Sequence, residues 1–322
     1  MLIDAHAHVM PGSLPAAPSG CDPASWPSMS PVPGSGGDRL LVSGRVRFTA
    51  RTAWFDAEQR LAASAASGVD AEVVSPFPPL LNYALPAGSG RDLARWVSEY
   101  IASLCSAFPG RFYGLGTVPL QDPDLAAGEL ASVAGLGLAG VEIGSNVAGV
   151  SLADPRFLGF FAEAERLGMA VFVHAMPAPS DRLPGPAVAT FGVGIEGSLA
   201  AAAIITGGVA EKYPSLRLAF SHAAGGFPLM LTRAQWFLGP DLERGTARRA
   251  RSGGFAVGGG SGRAGRAGPP VLVRLAGVRP ARHQVPRRHA GRGPAAGGVR
   301  LPGDAPRGAG RTDTAVDGAG GG

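Results

Sequence analysis

An apolar, strand-like run followed by a helical run recurs through the first 240 residues of this chain. That alternation limits the fold more than any other feature. The first run is Met1-Leu-Ile-Asp-Ala-His-Ala-His-Val9, with its strand near residue 3. Five more centre near residues 73, 114, 142, 172 and 219: Ala71-Glu-Val-Val74, Phe112-Tyr-Gly-Leu-Gly-Thr-Val118, Gly140-Val-Glu-Ile-Gly144, Ala170-Val-Phe-Val-His-Ala175 and Leu216-Arg-Leu-Ala-Phe-Ser-His222. Helices are expected over 55–67, 123–136, 156–167, 197–206 and 226–236. The clearest carries Leu93, Trp96, Val97, Tyr100, Ile101, Leu104 and Phe108 at helical spacing, and Pro109-Gly110 stops it. Strand then helix, repeated at this spacing, implies parallel strands wrapped by helices. The predicted class is α/β, a (β/α)8 barrel in one large domain. Six strands are two short of the eight that close such a barrel, so strands seven and eight are missing from the chain as written.

Chemistry in such barrels sits at the C-terminal ends of the strands. His6 and His8 end the first strand. Side chains alternate along a strand, so both imidazoles point to one face, and Asp4 should point there too. Two imidazoles converging at a strand end suit a borderline metal such as zinc. His174 ends the fifth strand and His222 the sixth. All four histidines before residue 240 therefore fall on the functional rim, which implies a shared metal site.

The charge of +5 hides two different texts. Residues 244–322 carry 15 Arg, no Lys and 3 acids, a net of +12, which leaves residues 1–243 at −7. An acidic body argues against a nucleic-acid substrate. The tail also holds 21 Gly and a single aromatic, Phe255. Such a composition cannot bury enough apolar surface to offset the entropy of ordering, so no stable secondary structure is expected after about residue 245. No apolar run is long enough to span a membrane, and the chain opens on its first strand without a signal-like segment, which predicts a cytoplasmic protein. Cys21 and Cys105 make no disulfide framework, and Cys105 falls on an apolar helix face as a core residue.

Six motifs, taken in order, carry a resemblance. They are Ile3-Asp-Ala-His-Ala-His-Val-Met-Pro11, Arg111-Phe-Tyr-Gly-Leu-Gly-Thr-Val-Pro-Leu-Gln121, Gly140-Val-Glu-Ile-Gly144, Val171-Phe-Val-His174, Gly207-Gly-Val-Ala-Glu-Lys-Tyr-Pro214 and Phe220-Ser-His-Ala-Ala-Gly-Gly-Phe-Pro228. The chain resembles the amidohydrolase superfamily, and within it the metal-dependent decarboxylases typified by aminocarboxymuconate-semialdehyde decarboxylase. The resemblance implies His6, His8 and His174 as ligands of a divalent metal, most simply Zn2+, and His222 as the acid/base group. It implies an arginine for the substrate carboxylate in Arg45-Val-Arg-Phe-Thr-Ala-Arg51; Arg47 matches best and Arg51 next. The implied activity is decarboxylation of a small unsaturated or aromatic carboxylic acid, with no organic cofactor, in a chain that acts alone or as a homodimer. A hydrolase of lactones or amides on the same scaffold is the alternative, because the superfamily does both.

The chain departs from that family at its end. The family's fourth metal ligand is an aspartate in a Gly-Ser-Asp-Tyr-Pro motif, and neither that motif nor the strand-seven motif occurs here. Arg, Gly, Ala and Pro without Lys are what a GC-rich gene yields when read out of frame. Shifted by one base, Gly298-Val-Arg-Leu-Pro302 permits Gly-Ser-Asp-Tyr-Pro. In the same frame, 287–298 permits Asp-Thr-Leu-Gly-Ala-Asp-Arg-Leu-Leu-Val-Gly and 273–280 permits Tyr-Asp-Ser-Leu-Val-Tyr-Asp-Pro. Two long family motifs at family spacing in one frame imply a frameshift within 237–268. The expected organisation is a barrel fragment over 1–243 and an out-of-frame tail over 244–322. The tail's His283 and His289 receive no role. A non-functional product is the third reading.

Overall fold

All six expected strands are present in a computed structural model, which describes residues 1–176, 183, 185 and 187–243. The first, β1 (Ile3–Val9), is followed by three short strands that the sequence reading took for loop: β2 (Ser28–Pro31), β3 (Arg39–Ser43) and β4 (Val46–Ala50). These pair antiparallel as a separate sheet in the order β2-β3-β4. Gly44, at φ +55°, makes the turn between β3 and β4. The Pro- and Ser-rich stretch around them is not free, since Cys21 and Trp26 are buried and the Trp26 indole donates to the Pro15 carbonyl at 2.8 Å.

The barrel units follow in order. They are α1 (Ala57–Ala66) with β5 (Ala71–Pro76), α2 (Ala87–Ala107) with β6 (Phe112–Gly116), and α3 (Pro123–Gly135) with β7 (Gly140–Gly144). A small hairpin, β8 (Asn146–Val147) and β9 (Val150–Ser151), leads to α4 (Leu158–Arg166) and β10 (Ala170–His174). Then come α5 (Ala187–Thr206), the single turn α6 (Val209–Lys212), β11 (Arg217–Phe220) and α7 (Phe227–Glu243). Capping sets several starts. Asp56 accepts from the Gln59 N–H at 3.0 Å, and Asp122 accepts from the Leu125 N–H at 3.0 Å with Pro123 in the first turn. The periodic face of α2 is the buried one, with Leu93, Val97, Ile101 and Leu104 in the core. Cys105, on the same helix, is half-buried and packs against that core.

Two boundaries differ from the sequence reading. Helix α5 starts at 187 rather than 197, because Gly192, Gly194 and β-branched Val193 hide its first turns from propensity. Strand β11 stops at Phe220, so His222 stands beyond the strand, in a turn. The tail from 244 onward, with His283, His289 and the shifted-frame motifs, lies outside the described residues.

The main sheet is wholly parallel, in the order β1-β5-β6-β7-β10-β11. It is curled. Four strand spacings separate β1 from β10, roughly 19 Å in a flat sheet. Yet the His6 ring of β1 lies 5.1 Å from the Phe172 ring of β10. Curling brings the inward side chains of the first and fifth strands face to face, which is the barrel geometry expected.

A buried ion pair fixes β1 from outside. Arg60 of α1 donates to Glu72 of β5 at 2.6 Å and to the His8 carbonyl at 2.9 Å, and the Ser64 hydroxyl also donates to Glu72. Glu72 is 5% exposed. Arg60→Ala would leave that carboxylate without its cation. It is expected to destabilise the fold by about 3–5 kcal/mol in urea unfolding; a loss below about 1 kcal/mol would show the pair to be solvated.

Candidate metal centre

β1 delivers two imidazoles to the C-terminal end of the sheet, and β10 delivers a third. His8 Nε2 lies 3.1 Å from His6 Nε2 and 3.2 Å from His174 Nε2. One ligand atom from each of the three falls within 4.8 Å of the others. The register explains the meeting. His8 is level with Ser75 on β5, and His174 is level with Gly144 on β7, so both stand at the same height in the curl.

Asp4 does not join them. The pairing of β1 with β5 shifts register between Asp4 and Ala7, and the Asp4 carboxylate turns to accept the His6 backbone N–H at 3.1 Å. Strict alternation had placed it on the histidine face; the bulge takes it off.

The donor set fits a divalent metal. His8 Nδ1 faces the Pro76 carbonyl at 3.0 Å, so this nitrogen carries the proton and Nε2 presents its lone pair. Burial, followed by the neighbouring His174 and His6, holds His8 down to about pKa 3. Burial, followed by His6 and His222, does the same for His174, to about 3. His6 is lowered too, first by burial and then by His222. All three are therefore neutral ligands at neutral pH. Tetrahedral zinc with ligands at about 2.05 Å needs nitrogen atoms about 3.3 Å apart, close to the spacings found here.

Behind the histidines lies a carboxylate to which the sequence reading assigned no role. Glu142 of β7 is fully buried, neither oxygen has a hydrogen-bond partner among the described residues, and Oε2 is 3.9 Å from His8 Nδ1. Burial pushes its pKa up to about 8, against a smaller opposing pull from the Ser75 hydroxyl. The signal was visible as one charged residue inside an otherwise apolar strand. Beside it the buried Tyr83 hydroxyl accepts the Gly144 N–H at 2.9 Å and pins the end of β7.

These shifts make stability depend on pH in the metal-free protein. The imidazoles are neutral when folded but take protons once unfolded, so they weaken the fold as pH falls from 6.5 toward about 3. Glu142 is protonated when folded, so its contribution is lost as pH rises from 4.5 toward about 8. Between those limits the imidazoles outnumber the carboxyl, and above 6.5 Glu142 acts alone. Urea unfolding of the metal-free protein is expected to show maximal stability near pH 6.5; a steady rise through about pH 8 would contradict the state of Glu142.

His222 completes the cluster without being one of the three converging ligands. Its ring centroid is 5.4 Å from that of His6 and 5.5 Å from that of His174. The turn that carries it is strained. His222, Ala223 and Ala224 take φ of 52°, 53° and 54°, and Gly225 follows at 59°. For L-residues this costs roughly 1–2 kcal/mol each, and such strain gathers at functional sites. Ser221 ties the turn to the metal strand, its hydroxyl accepting the Ala175 N–H at 3.0 Å.

The arginines stand differently. Arg47 lies on β4 and Arg51 just after it; both are exposed, and neither side chain makes a hydrogen bond or ion pair among the described residues. From β4 it is Phe48 that faces inward, 4.6 Å from Phe77, whose ring lies 6.2 Å from His8. Alternation along β4 puts Arg47 on the opposite face from Phe48.

The amidohydrolase family model matches residues 3–259. The chain belongs to the amidohydrolase family. Its relatives include 2-amino-3-carboxymuconate-6-semialdehyde decarboxylase of Dictyostelium discoideum, 32% identical over 247 residues, which are 72% of this chain and 66% of that one. Among solved structures, 5-carboxyvanillate decarboxylase LigW from Sphingomonas paucimobilis is 31% identical with a TM-score of 0.52, over 60% of this chain and 59% of that one. A 5-carboxyvanillate decarboxylase from Novosphingobium aromaticivorans, complexed with manganese and 4-hydroxy-3-methoxy-5-nitrobenzoic acid, is 27% identical with a TM-score of 0.54, over 59% of this chain and 56% of that one. This amidohydrolase thus spans about two thirds or less of the length of each. The relatives place it in the decarboxylase branch that its motifs resemble. No helix among the described residues is long and apolar enough to cross a membrane.

Proposed function

We propose that this amidohydrolase is built as a metal-dependent decarboxylase of a small unsaturated or aromatic carboxylic acid. The observation that carries the reading is the convergence of three neutral imidazoles, His6, His8 and His174, with His222 beside them. Bound there, a divalent metal polarises a substrate oxygen and stabilises the negative charge that develops as CO2 leaves. Zinc suits an all-nitrogen set; manganese is the alternative suggested by the Novosphingobium relative. His222 has the proton work. As the bond to the carboxyl carbon breaks, its electron pair stays on the substrate carbon, and His222 delivers the proton that this carbon takes up. Arg47, with Arg51 second, would pair with the substrate carboxylate and fix which bond breaks. For that, β4 or the exposed side chain must turn toward the histidines when substrate binds.

The chain as written is an impaired version of this enzyme. The family match ends at 259, inside the 237–268 window in which the reading frame changes by our reading, so residues 244–322 form an out-of-frame tail. The fourth ligand, an aspartate, is lost with the strands beyond. A homodimer belongs to the same reading, since Leu229, Trp236 and Phe237 on α7 offer exposed apolar surface for a second copy. The test is CO2 release from a panel of aromatic and unsaturated carboxylic acids, by this chain and by the product of the frame-restored gene, each loaded with zinc or manganese. Metal-dependent CO2 release that is stronger in the restored product is expected. Hydrolysis of lactones or amides without CO2 release would overturn the reading.

A further inference from the structure

The His222 ring makes no hydrogen bond among the described residues, so its placement depends on its backbone. That backbone is the least favourable stretch of the fold, three non-glycine residues in succession in the left-handed region. Something must hold it there, and α5 does. The Ser198 hydroxyl accepts the Gly226 N–H at 2.8 Å, lies 2.8 Å from the Gly194 carbonyl of its own helix, and reaches the Ala224 carbonyl at 3.3 Å. The Gly225 N–H closes the turn onto the His222 carbonyl at 2.9 Å. Glycines allow the approach. A Cβ on Gly225 would collide with the Gly194 carbonyl, and one on Gly197 would come within 3.3 Å of the Gly225 nitrogen. Helix and turn therefore meet backbone to backbone, with one side-chain hydroxyl between them.

We propose that Ser198 is a positioning residue for His222: its hydroxyl clasps the strained turn 222–226 to α5 and holds the imidazole at its distance from the three metal-binding histidines. This rests on the decarboxylase reading only where turnover is concerned. Without the clasp the left-handed turn can relax toward ordinary backbone angles, which carries the ring away. A small displacement of a proton-transfer group is enough to cost rate. The metal ligands, held on β1 and β10, should not feel it.

The experiment compares the metal-loaded full chain with Ser198→Ala and Ser198→Thr. Hydrogen exchange at the Gly225 and Gly226 amides reads the clasp, with Val171 and Val173 of β10 as controls. Carbethoxylation of His222 by diethyl pyrocarbonate, followed by peptide mass, reads the ring. Ser198→Ala should speed exchange at Gly226 by about tenfold, the effect of one lost hydrogen bond. It should leave β10 unchanged and alter the His222 modification rate severalfold; Ser198→Thr, which keeps the hydroxyl, should restore both. Where the wild type turns over a carboxylic acid, kcat should fall about tenfold in Ser198→Ala with KM within about twofold. Unchanged exchange and modification in Ser198→Ala, or changes that Ser198→Thr does not reverse, would overturn the clasp. A moved turn with unchanged kcat would overturn the positioning role. A wild type inactive on every carboxylic acid would sink the decarboxylase reading, while the two substrate-free measurements would still decide the clasp.

Discussion

His8→Ala is expected to abolish metal binding and turnover together. His8 is the middle of the triad: its Nε2 is the atom close to both other ligands, at 3.1 and 3.2 Å. Its ring is fixed from behind by the Pro76 carbonyl and sits against Glu142, so no other side chain can swing into its place. Loss of an outer partner of a metal-bound histidine already costs about 10- to 100-fold in affinity; loss of the histidine itself should cost more. Two imidazoles with no carboxylate beside them would not retain metal through dialysis. His6→Ala should behave alike, and elemental analysis of the dialysed variants reads the result. Metal retained at the wild-type level in His8→Ala would mean that the three nitrogens converge for another reason.

His222→Ala should separate what His8→Ala removes at once. Its ring is more than 5 Å, centroid to centroid, from those of His6 and His174, and it stands outside the ligand cluster. Metal content should therefore stay close to wild type. Turnover should drop by about a hundredfold or more, the usual contribution of a positioned proton-transfer group. The pair of measurements discriminates sharply. A His222→Ala protein that lost its metal would make His222 a ligand, and one that kept full turnover would leave the proton to water.

The contrast between these two histidines also marks what could be read from sequence. A parallel strand order follows from alternating apolar runs, and ligands at strand ends follow from two-residue periodicity; both need only local patterns. His6, His8 and His174 were legible for that reason. His222 was legible as a rim residue but not as a residue in a left-handed turn, because Ser-His-Ala-Ala carries no glycine to signal positive φ until Gly225. Asp4 misled because a bulge is set by pairing with β5, two units of chain away, and not by the strand's own sequence. Glu142, Arg60 and Ser198 were illegible as partners of the site. Each acts through a contact made only when distant elements pack: β7 against β1, α1 against the His8 carbonyl, α5 against the turn. The sheet β2-β3-β4 was missed for the opposite reason. Its strands are short and mixed in polarity, and its Gly44 turn was read as loop punctuation.

The central claim is that four histidines at one end of a curled parallel sheet form a metal-dependent catalytic centre. Metal content and CO2 release, measured on the same dialysed sample before and after chelation, test it most directly. The account predicts about one divalent ion per chain bound through His6, His8 and His174, with CO2 release lost on chelation and regained when zinc or manganese is returned. A protein that still releases CO2 after its metal has been removed would contradict it.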